Sequence, residues 1–428
     1  MSRCSWMAIL ALGGMVTACD DRCDFVSGGC LEVVVEGSGQ YEGLDFQFVD
    51  AMENKTVHST MDSSTFSLPS KFLIQADNIA TSSYVGLSVR ARGTQDKHYG
   101  MVPLSWPDGE HVQATVVVKP RDCVGGWCRE NPFPSVNERT VTTSRLTAVW
   151  ASGPNNVWLT DEYGNVVQFD GEKWKEPTLI EPGISLYGIF GTGPSNIWVV
   201  GAKGTVRRYD GKEWLRDNSG STEDLTAVWA SDDRNSWAVG TKGTLLHFSG
   251  TAWSPAAESG TVTTQDLRNV RGRHVSDVWA VGDGETILHY DGSSWSRATI
   301  NGTRTDKALL GLWLDSDGNG WSAGVDNTYV QLSRGQWTGV TVIFPVGIGG
   351  AVWGNASTSV WAGGCDMNLA RYDGARWNQL LGTPSLLPKS APLDCKRYQA
   401  TGMWGVNGRD IWVVGAEGLI LRYGYFID

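Results

Sequence analysis

One tryptophan returns through the last two thirds of this 428-residue chain at almost constant spacing. Its copies are Asn156-Val157-Trp158, Asn196-Ile197-Trp198, Asn235-Ser236-Trp237, Asp277-Val278-Trp279, Asn319-Gly320-Trp321, Ser359-Val360-Trp361 and Asp410-Ile411-Trp412. Successive tryptophans lie 40, 39, 42, 42, 40 and 51 residues apart. Each copy runs on into a glycine-bearing turn and a second apolar strand, as from Ala280 to Tyr290, and most then carry Asp-Gly-x-x-Trp, at 170–174, 210–214, 291–295 and 373–377. A unit of this size is too small to bury both faces of its own sheet, so neighbouring copies must stack. The period predicts a β-propeller of seven four-stranded blades over residues 145–428. In blade four the inner strand A is expected near 267–270, B at 277–282, C at 286–290 and the outer strand D from 294.

Tryptophan use supports this. Eighteen of the 21 tryptophans fall between Trp150 and Trp412. Each contributes on the order of 2 to 3 kcal/mol when buried, so packing between blades is their expected role, with an exposed sugar-binding platform as the alternative. The seventh copy ends at Leu421-Arg422-Tyr423-Gly424 with no room for an outer strand, and a closed ring must cover that edge. Residues 138–144 are expected to fill the place, with the stretch around Trp127 as the second candidate.

The first third reads differently. Residues 1–18 combine Arg3, the apolar run Trp6 to Leu12 and small residues before Cys19, too short a run to cross a bilayer as a helix and suited to a signal peptide. Residues 19–30 form a linker. From Leu31 to about Pro120, short segments alternate apolar and polar side chains with period two, as in Leu31-Glu32-Val33-Val34-Val35-Glu36. That pattern predicts a small Ig-like β-sandwich over 31–120, with 121–144 as a connecting segment. The overall class is all-β.

Setting aside Cys4 in the leader and Cys19, six cysteines remain. An even number suits disulfides in an oxidising compartment, and spacing favours Cys23 with Cys30, Cys123 with Cys128 and Cys365 with Cys395. No four-ligand cluster of cysteine and histidine has zinc-finger spacing, and no cofactor motif is present. The formal charge of −11 lacks the basic footprint of a nucleic-acid binder.

Antiparallel strands place B-to-C loops and D-to-A connections on one face of the disc, and A-to-B and C-to-D turns on the other. Cys365 and Cys395 share the first face, where the segment 378–402 is the longest connection. Long loops on a rigid scaffold tend to carry function. The expected ligand-binding set is therefore Lys389, Arg397 and Tyr398 from the long connection, with Asp161, Tyr163, Asp283, Asp326 and Asp366 from B-to-C loops. His247 and His289 hold equivalent positions in adjacent blades and read as structural. Asp315 to Gly320 is similar to the start of a calcium loop, with Asp326 at its twelfth position, but lies where a strand turn is needed. No pair of carboxylates stands out for glycoside hydrolysis.

Two resemblances sharpen the expectation. Val16-Thr17-Ala18-Cys19 resembles the lipobox of bacterial lipoproteins, which implies lipidation of Cys19 and an exported, membrane-anchored chain on the periplasmic or outer-surface side; an ordinary secretory cleavage site nearby is the alternative. The repeat Asn/Asp-Val-Trp-Ala-Val-Gly followed by Tyr-Asp-Gly-x-x-Trp resembles exported BNR or Asp-box-like propellers and tectonin-type lectins. It departs from a true Asp-box, whose serine is replaced by Gln168, Arg208, His289 or Arg371, and sialidase activity is not expected. The resemblance bears on fold, and the chain as a whole is expected to be a non-catalytic binding or scaffold protein of the cell envelope whose partner is an envelope or extracellular protein. A lectin for polysaccharide is the alternative, and a glycoside hydrolase the third reading.

Overall fold

The computed structural model describes residues 8–11, 29–36, 40–50, 56–67, 70–76, 84–92, 98–104, 111–120, 123–124, 127–130, 144–171, 173–302, 305–342, 350–380, 399–408 and 410–424. The chain divides into two compact units, one of residues 1–129 with 422–428 and one of residues 130–421.

In the first unit the period-two segments form two sheets. One orders Ala8–Ala11, Ser70–Ala76, Gly29–Glu36 and His111–Val117; the other orders Thr56–Ser67, Gln40–Asp50, Tyr84–Arg92, His98–Pro103 and Lys119–Pro120. Alternation decides which side chains are inside: Leu31, Val33 and Val35 are fully buried, and they share one core with Phe46, Phe48, Leu87, Val89 and Val116. Asp45 is buried too, held by Arg90 Nε at 2.9 Å and Arg92 Nε at 3.0 Å.

The repeats fold as a seven-bladed propeller. Blade one runs Leu146–Gly153, Asn156–Asp161, Asn165–Phe169 and Thr178–Leu179, all antiparallel neighbours. Blade four has strand A at Leu267–His274, B at Asp277–Gly282, C at Thr286–Tyr290 and D at Trp295–Arg297, close to the bounds expected from the repeat. Blade five gains a fifth strand, Ile300–Asn301, lying parallel to Gln336–Thr341. Blade seven orders Ala400–Asn407, Asp410–Gly415, Ile420–Tyr423, then Trp127–Glu130 and Cys123–Val124. The closing strand is thus the stretch around Trp127. Of the first expectation, 138–144, residues 138–143 lie outside the described residues, and Ser144 accepts a hydrogen bond from the Gly418 N–H at 2.7 Å. Trp127 is 1% exposed and rests on Tyr423 with ring centroids 5.1 Å apart, which an edge strand of polar residues could not offer.

The two repeated tryptophans meet across blade boundaries. The strand B tryptophan of one blade packs edge-on against the outer tryptophan of the next: Trp158 on Trp214, Trp198 on Trp253, Trp237 on Trp295, Trp279 on Trp337, Trp321 on Trp377, and Trp412 on Trp174 of blade one. Centroids lie 5.0 to 5.6 Å apart, the separation at which edge-to-face pairs gain beyond area burial. All seven strand B tryptophans are at most 5% exposed, so they are core and not a sugar platform.

The motif residues before each tryptophan serve this packing. Asn156 Oδ1 accepts the Trp158 indole N–H at 2.8 Å and a Gln168 N–H at 2.8 Å. In blade four Asp277 Oδ1 accepts the Trp279 indole N–H, His289 Nε2 lies 2.9 Å from the same oxygen, and the imidazole stacks on Trp279 at 4.0 Å. By register His247 faces Trp237, Arg208 faces Trp198 and Arg371 faces Trp361, so His247 and His289 fill one repeated stacking position. The Asp of Asp-Gly-x-x-Trp closes the C-to-D hairpin. Asp210, Asp291 and Asp373 each accept the N–H groups two and three residues on, and the following glycines adopt φ of 95° to 97°, open to glycine without strain.

Candidate functional site

Seven inner strands surround a central channel, and their sequence determines what it presents. In six of the seven blades strand A begins with a buried residue and bulges at the next position, which turns that side chain to the axis, and in blade six Gly350 takes the equivalent place just before strand A. Around the ring these positions are Thr147, Tyr187, Thr226, Arg268, Leu310, Gly350 and Thr401, and all seven line a cavity of about 540 Å³. Arg145, Glu162, Ser185, Asp224, Thr241 and Gln399 complete its mouth. Some of these groups also lock blades together: Thr226 Oγ1 donates to the Leu267 carbonyl and Thr401 Oγ1 to the Leu146 carbonyl, both at 2.6 Å.

The mouth opens on the face of the B-to-C loops. Those loops are short turns whose tip residues sit in left-handed conformation: Lys203 and Lys242 on blades two and three, Asp326, Asp366 and Glu417 on blades five to seven, with φ of 51° to 57°. The turn tips themselves are thus basic on blades two and three and acidic on blades five to seven, each type set among groups of opposite charge. Lys242 pairs with Glu223 at 2.9 Å and Lys307 with Asp326 at 2.8 Å, both exposed enough for solvent to screen them. Beside the channel Arg268 makes a two-pronged pair with Asp283, Nε to Oδ1 at 2.8 Å and Nη2 to Oδ2 at 2.6 Å, and its Nη2 also reaches Asp266 at 3.2 Å. That partnership raises the Arg268 pKa against the opposing effect of burial.

The residues expected from sequence separate into three groups. Tyr163, Asp326 and Asp366 stand on B-to-C loops of this face, Tyr163 being 59% exposed, and Asp283 reaches the channel mouth through Arg268. Asp161 is instead a buried turn-former: its carboxylate accepts the N–H groups of Tyr163 and Asn165 and the Asn165 amide, so it offers nothing to a ligand. Lys389, Arg397, Tyr398 and Cys395 lie outside the described residues, as do Cys19 and Cys23. Asp315 likewise spends its carboxylate on Asp317 N–H, Asn319 N–H and the Asn319 amide, closing an A-to-B turn. Sequence reasoning missed the axial ring itself. Its signal was available: in Leu-Thr-Ala-Val-Trp, Leu-Tyr-Gly-Ile-Phe and Leu-Arg-Asn-Val-Arg the second position varies freely between conserved packing positions.

Solved structures share the fold. The chain is similar to "YCF48 bound to D1 peptide" at 16% identity and TM-score 0.51, over 69% of this chain and 95% of that one. YCF48 from Cyanidioschyzon merolae matches at 18% and 0.52, over 70% and 98%. A catalytically inactive virginiamycin B lyase from Staphylococcus aureus with quinupristin matches at 11% and 0.55, over 67% and 97%. No family model matches the chain, and no curated protein does. The similarity establishes the seven-bladed all-β propeller fold. The Asp-box, tectonin and lipoprotein resemblances rest on the quoted sequence motifs alone.

Proposed function

We propose that this chain is a non-catalytic docking protein that receives a protein partner on the channel-mouth face. The observation that carries the reading is the axial ring. Where the framework repeats from blade to blade, the ring presents Thr, Tyr, Thr, Arg, Leu, Gly and Thr, an asymmetric surface set in a rigid scaffold. The charged turn tips around the mouth would orient a partner carrying the complementary pattern. The solved YCF48 structure, a propeller of the same architecture, has a D1 peptide bound, which supports the same use here. Buried tryptophans weigh against a blade-by-blade lectin, and no catalytic constellation stands out among the described residues to favour a hydrolase.

We further propose that the chain is exported and anchored through lipidated Cys19, with the N-terminal sheets as an Ig-like sandwich spacer. Disulfides Cys123–Cys128 and Cys365–Cys395, with Cys23–Cys30, belong to the same reading. The backbone register, with Cys123 directly across the hairpin from Cys128 at a cross-strand separation of about 4.5 to 5.5 Å, supports the first of these pairings.

Photoreactive side chains at Tyr163 and Tyr187, compared with one at Ser316 on the opposite face, test the docking reading in intact cells. Partner adducts confined to the first two positions are expected. Adducts of equal yield at Ser316 would contradict it, and saturable glycan binding competed by free sugar would move the account to the lectin alternative.

A further inference from the structure

Below the mouth the channel narrows into a second chamber of about 100 Å³, which shares with it the axial ring from Thr147 to Thr401. That space holds about three waters, or one carboxylate. Its wall contains a break in the repeat. The inner strands of six blades carry an aromatic ring at one level, Trp150, Phe190, Trp229, Trp313, Trp353 and Trp404, and blade four carries Arg271. The Arg271 guanidinium lies 5.5 Å from the Phe190 ring and 5.7 Å from the Trp404 ring, on blades two and seven, so it extends across the axis. Its one hydrogen bond is to the neighbouring Val270 carbonyl at 2.8 Å, and no carboxylate of the described residues pairs with it.

Cation–π contacts offset part of the cost of enclosing a cation but do not neutralise it. Desolvation lowers the Arg271 pKa to about 10, which leaves the group charged at neutral pH. A packed aromatic at this level would have completed the plug, as in the other blades. Part-exposed to the channel, the Arg271 cation gives the chamber a positive charge that no carboxylate of the described residues pairs.

We propose that the lower chamber is a receptor for a small carboxylate-sized anion, with Arg271 as its counter-ion and Val149, Ile189, Val228 and Met403 among its apolar walls. The anion enters through the mouth, either as a free small acid or as the carboxylate of a chain docked above. The site does not depend on protein docking at the rim, so either inference can fail alone.

Thermal unfolding of the full chain, followed by tryptophan fluorescence at constant pH and ionic strength, tests it. Acetate should raise the Tm saturably in the parent protein, while a morpholine sulfonate too bulky for the chamber should not. Arg271→Gln and Arg271→Trp should each abolish the acetate response. The Tm of each variant without acetate reports whether its fold is intact, and Arg271→Gln, which adds no bulk, carries the comparison if Arg271→Trp is destabilised. Acetyl-glycyl-glycine and its amide separate the two sources: at least tenfold tighter binding of the acid than of acetate assigns the site to a chain-borne carboxylate, and similar affinity assigns it to a free acid. An identical acetate response in parent and Arg271→Trp, or no response to either probe, would overturn the proposal.

Discussion

At the residue scale, the repeat is a set of hydrogen-bond acceptors placed to shape backbone and orient indoles. The Asp291 carboxylate takes the Ser293 hydroxyl and the Ser294 and Ser293 N–H groups, and these donors hold its pKa at about 2, below an ordinary 3.8. Asp373 is held at about 2 by the Arg376 and Ala375 N–H groups and the Asn378 amide. A carboxylate depressed in the folded state contributes stability that is complete above its unfolded value and is lost as pH falls through the folded one. Asp291→Ala should therefore lower the Tm at neutral pH, and its deficit against the parent should close as pH falls from about 4 to about 2. A deficit constant across that window would show that the turn, and not the charge, is what the substitution damages. These roles were only half readable in the sequence. Asp-Gly-x-x-Trp is visible as a motif, but that Asp161 and Asp315 do the same local work in other turns is not, because a carboxylate in a loop reads equally as a ligand donor and as a turn-former.

At the scale of elements, neighbouring blades are joined by large rings entering spaces that only glycine leaves open. A Cβ on Gly191 would meet Trp150 at 2.7 Å, one on Gly272 would meet Trp229 at 2.6 Å, and one on Gly405 would meet Trp353 at 2.5 Å. Each of these three glycines is thus the socket for the preceding blade's ring. Blade number, strand order and much of the strand bounds followed from the 40-residue period, since the same side chains must recur wherever the same contact recurs. The closing strand did not. Residues 123–130 carry no repeat signature beyond Trp127, and proximity in sequence to strand A of blade one favoured 138–144. Burial decided it, because only the earlier stretch supplies an aromatic to the outer strand of blade seven, as Trp214 and Trp253 do in theirs. Trp127→Ala should cost about 3 to 5 kcal/mol, the range for a buried tryptophan, in urea unfolding. Amide exchange should rise first in Ile420–Tyr423. A loss of under about 1 kcal/mol would mean the ring closes without that strand.

At the scale of the whole molecule, closure places six bulged side chains and Gly350 around one axis and gives the protein a polar, asymmetric mouth. The face was readable from strand alternation alone, which is a topological consequence of antiparallel sheets. The ring was not, because no single blade reveals it: it appears only when seven variable positions, each about 40 residues from the next, converge on one axis. Hydrogen exchange of the full chain, free and bound to the partner captured by the photoreactive side chains, tests docking at this mouth most directly. The account predicts protection recurring with the repeat, at 145–148, 185–188, 224–227, 266–269 and 399–402, with the A-to-B turns unchanged. Protection confined to the A-to-B turns or to the outer D strands would place the partner elsewhere and contradict it.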